Sequence, residues 1–179
     1  MNERRYNMMK NPLRHQVIFL AIIFVYMLVG SAFVYAQQAY KKEDIEWYSF
    51  NDAIELAKDH NKKVMLFMEA DWCSVCKKMK KKVFPDQDVQ DIMRTKFYPV
   101  RMDIESDQKL TYQQKEMSFK AFSKYMNMYA TPTFIFLDEK GKVIGNKPGY
   151  METEELMTLL RYIYTNAYEN KTFEEYSRQ

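Results

Sequence analysis

The chain has 179 residues, 47% hydrophobic and 16% aromatic, enough for one packed domain with terminal extensions and too apolar for global disorder. Its four glycines, Gly30, Gly141, Gly145 and Gly149, form no glycine-rich phosphate loop. The net charge of +3 belongs to residues 1–36, where Arg4, Arg5, Lys10 and Arg14 face Glu3 alone; the other 23 basic residues (27 less four) and 23 acidic residues (24 less one) cancel, and a balanced body argues against a nucleic-acid partner.

Residues 1–36 read as a positive flank, an apolar run and a Val-Tyr-Ala ending, the pattern of a secretory signal peptide cleaved after Ala36. The apolar run is 13 residues from Val17 to Val29, but counted to Ala36 it reaches 20, long enough to span a bilayer uncleaved. Either way the positive flank stays inside and the body is exported, to the periplasm or anchored facing it. Residues 37–44 form a polar lead-in. A helix follows from Ser49 to about His60, capped within Ser49–Asp52 and burying Ala53, Ile54 and Ala57. Val64–Ala70 is a short continuous apolar run that suits a strand buried on both faces. A lysine-rich helix comes next and reaches about Phe84 before Pro85, then a shorter helix over DVQDIMRTKF.

Phe97–Glu105 reads as a second strand, against which Pro99 weighs. Residues 105–118 are polar enough for a surface insertion. The aromatics Tyr112, Phe119, Phe122, Tyr125 and Tyr129 around it either shape a partner surface or fill the core. A helix over Ala121–Met128, a strand over TPTFIFLD, a turn at residues 138–141, a returning strand at KVIG and a helix from Glu152 to about Ala167 complete the body. The order predicts an α/β domain over 45–166, with 167–179 a loose tail.

The only cysteines, Cys73 and Cys76, sit three apart in EADWCSVCKKM. Structural zinc needs four ligands, and the exported body adds only His60. Two thiolates with a methionine suit copper(I), and the chain has 14 methionines, although Met is also a core filler. A purely structural disulfide would close a tiny loop with little entropic benefit. Reversible dithiol chemistry fits best. Cys73 falls where a strand ends and a helix begins, so free amides and the helix dipole favour its thiolate, and Lys77, Lys78, Lys80, Lys81 and Lys82 add cationic field. Cys76, one turn on, then attacks the mixed disulfide. Cys73 is the expected nucleophile and Cys76 the resolving thiol.

ADWCSVCKKM after an apolar strand, with YATPTFIFLDEKGKVIG about 55 residues later, resembles the thioredoxin superfamily. Its details are similar to exported thioredoxin-like reductases such as SoxW-type periplasmic thioredoxins and the C-terminal domain of DsbD, over about Ile45–Tyr164. The resemblance implies a thioredoxin-like fold, a central mixed sheet flanked by helices. It implies a cis peptide at Pro132 against the active-site disulfide and a Thr131 backbone that pairs with extended substrate. It also implies a surface-shaping Trp72 and a groove-lining Gly149, beside the plainer readings of a core tryptophan and a turn glycine. Thioredoxins bury an aspartate six residues before the first cysteine, where this chain has Phe67. Glu69 shares the strand face of Phe67 and is the expected substitute, balanced by Arg101; a half-buried carboxylate there would accept the resolving thiol's proton.

Strongly oxidising relatives carry a histidine just before the second cysteine, whereas the intervening pair here is Ser74-Val75. A donor-type potential and a reductase of disulfides in exported proteins follow, with a membrane thiol carrier of the DsbD or CcdA type as electron source and no cofactor. The alternative is a thioredoxin-fold copper(I) carrier using the same two cysteines, but such carriers add a downstream histidine, and here His60 lies upstream and His15 in the leader. A monomer is the default for a domain of this size.

Overall fold

The computed structural model describes residues 17, 18, 20, 22, 23, 45–128 and 130–178. The contacts of the chain divide it into two compact units, Met1–Glu43 and Asp44–Gln179. The expected leader over 1–36 and lead-in over 37–44 lie outside the described residues, apart from the five early positions, which are helical and exposed. Among the described residues no helix is long and apolar enough to cross a membrane.

In the body, helix α1 (Phe50–His60) starts at Ser49, whose hydroxyl accepts the Asp52 N–H, and ends at Asn61 in the left-handed region at φ 53°. It buries Phe50, Ala53 and Ala57, positions 0, 3 and 7 of one helical face. Strand β1 (Lys63–Glu69) is buried on both sides: Met65 and Phe67 enter one core, Val64, Leu66 and Met68 the other. Helices α2 (Ser74–Lys82) and α3 (Gln87–Lys96) follow, with Asp86 capping α3 through its Asp88 and Val89 amides. Strand β2 (Phe97–Asp103) runs parallel to β1.

Pro99 sits inside β2 without penalty. The strand is at the sheet edge, and the Pro99 carbonyl accepts the Tyr48 N–H at 2.9 Å from outside. The N and O of one strand residue point the same way, so the missing N–H takes no bond from the ladder with β1. Strands β3 (Lys109–Tyr112) and β4 (Lys115–Ser118) form a separate two-stranded hairpin, followed by α4 (Phe119–Tyr125). Strand β5 (Thr133–Leu137) is antiparallel to β1, and β6 (Val143–Pro148) is antiparallel to β5. The sheet order is β2-β1-β5-β6, the mixed sheet expected. Helix α5 (Thr153–Tyr164) supplies Leu156, Leu160 and Ile163 to the core that also holds α2 and α3; α1, α4 and the hairpin cover the opposite face.

Two stretches carry more structure than their polarity predicts. Within the expected insertion over 105–118, Leu110 and Tyr112 are buried against Phe50 and Phe122, and the Asn51 side chain accepts the Thr111 N–H at 2.9 Å. The turn uses Gln113 and Gln114, both at positive φ, in place of the Asn-Gly that announces a hairpin. Of the surrounding aromatics, Tyr112, Phe119 and Phe122 are core, Tyr125 is exposed, and Tyr129 lies outside the described residues.

The expected loose tail is folded back: a 3-10 turn (Ala167–Glu169) and helix α6 (Phe173–Ser177) follow α5. Thr172 and Glu175 form a capping box, and Tyr168, Phe173 and Tyr176 pack around Tyr162 with ring centroids 6.4, 5.5 and 5.3 Å away. The Tyr162 hydroxyl donates to the Lys171 carbonyl at 2.6 Å. Three aromatics spaced to meet one ring outweigh the polarity of the residues between them.

Candidate active site

Strand β1 ends at Glu69, and the Ala70 carbonyl accepts the Cys73 N–H at 3.0 Å, turning the chain into α2. Cys73 is the N-cap of that helix. Its sulfur accepts the Cys76 N–H at 3.0 Å, and its carbonyl accepts the Lys77 N–H at 3.2 Å. Cys73 and Cys76 are joined as a disulfide with Cα atoms 5.3 Å apart. The Cys73 Sγ therefore lies at the positive end of a helix dipole with an amide already directed at it, the setting that favours a thiolate once the bond is reduced. Cys73 is 3% exposed and Cys76 0%, so an incoming sulfur meets Cys73 first. Trp72, next to it, is 64% exposed and Val75 is 40% exposed, so Trp72 is a surface side chain and not core filling.

The Thr131–Pro132 peptide is cis, as the resemblance implied. Antiparallel pairing of Met68 with Thr133 brings the start of β5 to the end of β1 that leads to Cys73. The Pro132 carbonyl accepts the Gly149 N–H at 2.8 Å, linking two of the expected site positions. Gly149 has φ +100°, and a Cβ there would meet nothing within 4 Å, so backbone conformation and not crowding calls for glycine. The Thr131 Oγ1 is buried without a hydrogen-bond partner.

Glu69 is buried, and Arg101 Nε lies 3.1 Å from its Oε1, the partner expected from sequence. A second cation, Lys80, pairs with its Oε2. Lys80 follows Cys76 by four residues, on the same face of α2, so the carboxylate it holds is on the Cys76 side of the helix. Lys80 and Arg101 also line an open cleft of about 260 Å³ with Trp47 and Phe84.

Other contacts were not anticipated. Lys78 Nζ stands 3.8 Å from the Tyr150 ring centroid and 3.8 Å from Glu152 Oε1, and the Tyr150 hydroxyl donates to Glu152 at 2.9 Å. These contacts tie α2 to the loop after Gly149. The one sequence signal for Lys80 was its four-residue spacing from Cys76; for Tyr150 and Glu152 there was none, since their partner comes from across the fold.

Chemically, this arrangement suits thiol–disulfide exchange. A thiolate attacking Cys73 Sγ breaks the Cys73–Cys76 bond and releases Cys76 as a thiolate. In the other direction, a Cys73 thiolate can open a foreign disulfide, and attack of Cys76 on Cys73 Sγ can then reform the internal bond and free the reduced product.

Comparison with known proteins agrees with this geometry. Over 111 residues, 61% of this chain, it is 30% identical to the thiol:disulfide interchange protein DsbD of Actinobacillus pleuropneumoniae, of which the match covers 18%. Over 85 residues, 48% of the chain, it is 35% identical to the protein of the same name from Haemophilus ducreyi, covering 13% of that protein. The chain thus matches less than a fifth of the length of these curated relatives.

A thioredoxin from Thermus thermophilus superposes with a TM-score of 0.56 at 22% identity, covering 68% of this chain and 88% of that one. A thioredoxin-fold protein from Helicobacter pylori superposes at 0.55 and 24%, covering 66% and 80%. Both share the fold. Residues 50–164 match the family model described as a thioredoxin-like domain, which stops before the 3-10 turn and α6, and the chain belongs to that family.

Proposed function

We propose that this thiol–disulfide oxidoreductase is an exported reductase that donates electrons to disulfides of periplasmic proteins and is recharged by a membrane thiol carrier. The observation that carries the reading is the Cys73–Cys76 disulfide at the start of α2, with the Cys73 sulfur capped by the Cys76 amide. In this reading Cys73 is the nucleophile and Cys76 the resolving thiol. The cis Pro132, Thr131 and Gly149 form the platform on which an extended substrate segment pairs, and Trp72 shapes its rim. The absence of any cation in Ser74-Val75 argues for a donor-type potential, nearer about −270 mV than about −120 mV. Export rests on the leader pattern of residues 1–36 and on the likeness to DsbD.

Glu69 is assigned the acid–base role for Cys76. Its burial at the end of β1 and the four-residue step from Cys76 to its partner Lys80 support that role. Glu69→Gln should change the pH profile of thiol alkylation in the reduced protein, and an unchanged profile removes Glu69 from the mechanism.

The deciding experiment is a trap. Cys76→Ala should accumulate mixed disulfides with periplasmic proteins through Cys73, released by dithiothreitol, while Cys73→Ala accumulates none. A redox titration in parallel fixes the direction: a midpoint at the oxidising end of the range reverses it.

A further inference from the structure

Helix α2 has five lysines among nine residues and no acidic residue in its first turn or beyond. The body as a whole is balanced, so this helix concentrates positive charge that the rest of the surface offsets elsewhere. Two of the five lysines are matched, Lys80 by Glu69 and Lys78 by Glu152 and the Tyr150 ring. Lys77, Lys81 and Lys82 are exposed and form no ion pair among the described residues.

Helix stability does not account for Lys77. It lies in the first turn, where the dipole disfavours a cation, and its four-residue spacing from Lys81 is a like-charge pair that costs a helix a few tenths of a kcal/mol. The same spacing runs back from Lys77 to Cys73, so Cys73, Lys77 and Lys81 form a stripe that begins at the disulfide. Beside its start stand the exposed Trp72 and Val75. A patch with an apolar rim and unneutralised cations fits a partner of opposite charge, and opposed charges near the reacting atoms raise the rate of productive encounter.

Resting on the oxidoreductase reading above, we propose that the Lys77–Lys81 stripe is a docking surface for a protein partner that carries an acidic segment next to its reacting disulfide. The stripe orients that partner so that its disulfide meets Cys73.

The test uses the full chain, reduced, with two disulfide-bonded peptides identical around the disulfide but flanked by Asp and Glu in one and by Lys in the other. The acidic peptide should react about tenfold faster at low ionic strength, and the ratio should approach one at ~0.5 M salt, where charges are screened beyond a few ångströms. Lys77→Glu with Lys81→Glu should invert the ratio, and Lys77→Gln with Lys81→Gln should bring it near one. Using the ratio cancels any change in the intrinsic reactivity of Cys73.

Equal rates for the two peptides at low salt, or a ratio indifferent to both double variants, overturn the inference while leaving the exchange chemistry intact. Equal rates together with lysine-dependent sedimentation on phosphatidylglycerol vesicles assign the stripe to a lipid surface and overturn it too. Exchange with neither peptide removes the oxidoreductase reading itself, and this inference with it.

Discussion

Two stretches of similar length, Ala70–Lys82 and Thr165–Arg178, are held in place by opposite means. The first has its disulfide end organised from within: Ala70 accepts from Cys73, Cys73 from Cys76 and Lys77, and the disulfide spans a separation of three residues. The second has a capping box of its own, but its place depends on Tyr162 in the preceding helix and on Lys147 of β6, whose ammonium lies 5.4 Å from the Phe173 ring centroid. Local construction sets a sulfur, an amide and a helix end against one another through neighbours in the chain. Tertiary construction instead covers ground the sheet leaves open: Phe173 and Glu174 line a cavity of about 230 Å³ with Gly145, Asn146 and Lys147 of the edge strand β6.

The contrast predicts that the two stretches separate under mutation. Cys73→Ala should lower disulfide reduction by at least ~10³-fold, the scale of losing an attacking group, and leave the urea midpoint nearly unchanged. Deleting residues 166–179 should do the reverse, holding the reduction rate within about twofold while lowering the midpoint. A truncated protein that loses its exchange activity while still folded would dissolve the distinction.

Next in size is the anchor itself. Tyr162→Ala, which empties the ring that Tyr168, Phe173 and Tyr176 surround, should cost about 3–5 kcal/mol in urea unfolding. Tyr162→Phe, which removes only the hydrogen bond to the Lys171 carbonyl, should cost about 1 kcal/mol.

The other edge of the sheet offers a pH test. Tyr48 bridges to Val100 of β2, and its hydroxyl, donating to Glu46 and partly buried, has its pKa pushed up from 10.0 to about 12. An acid whose pKa is raised by folding contributes stability that is complete below the unfolded value. That contribution is then lost as pH rises through the folded one. Stability should therefore fall between about pH 10 and about pH 12, and Tyr48→Phe should remove part of that fall; a variant that tracks the parent throughout this range would release Tyr48 from the edge.

The smallest effect belongs to the hairpin. Gln114 holds φ 65°, so Gln114→Gly should raise stability by about 0.5–1 kcal/mol in the same unfolding assay, the left-handed backbone being free of strain for glycine.

Much of the body was legible because its signals were local and repeated. The buried run of β1, the helical spacing of Leu156, Leu160 and Ile163, and the capping residues Ser49 and Asp86 each declare an element within a few residues. The hairpin is harder to read because it shows only as alternation within a polar stretch, Lys109-Leu110-Thr111-Tyr112 being exposed and buried in turn. The tail is hidden for a related reason: its capping box, Thr172 to Glu175, is local, but the meeting of Tyr162 with its aromatics is not.

At the site, the sequence alone supplied the two cysteines and their place at a strand-to-helix junction, because the end of one element and the start of the next are written in adjacent residues. Tertiary structure alone decided that Lys80 joins Arg101 on Glu69, that Gly149 donates to Pro132, and that Lys78 reaches Tyr150 and Glu152. Those contacts join α2, β2 and the loops around β5 and β6, which are distant in the chain. Sequence patterns extend only as far as one element's own period, and the packing of one element on another lies beyond it.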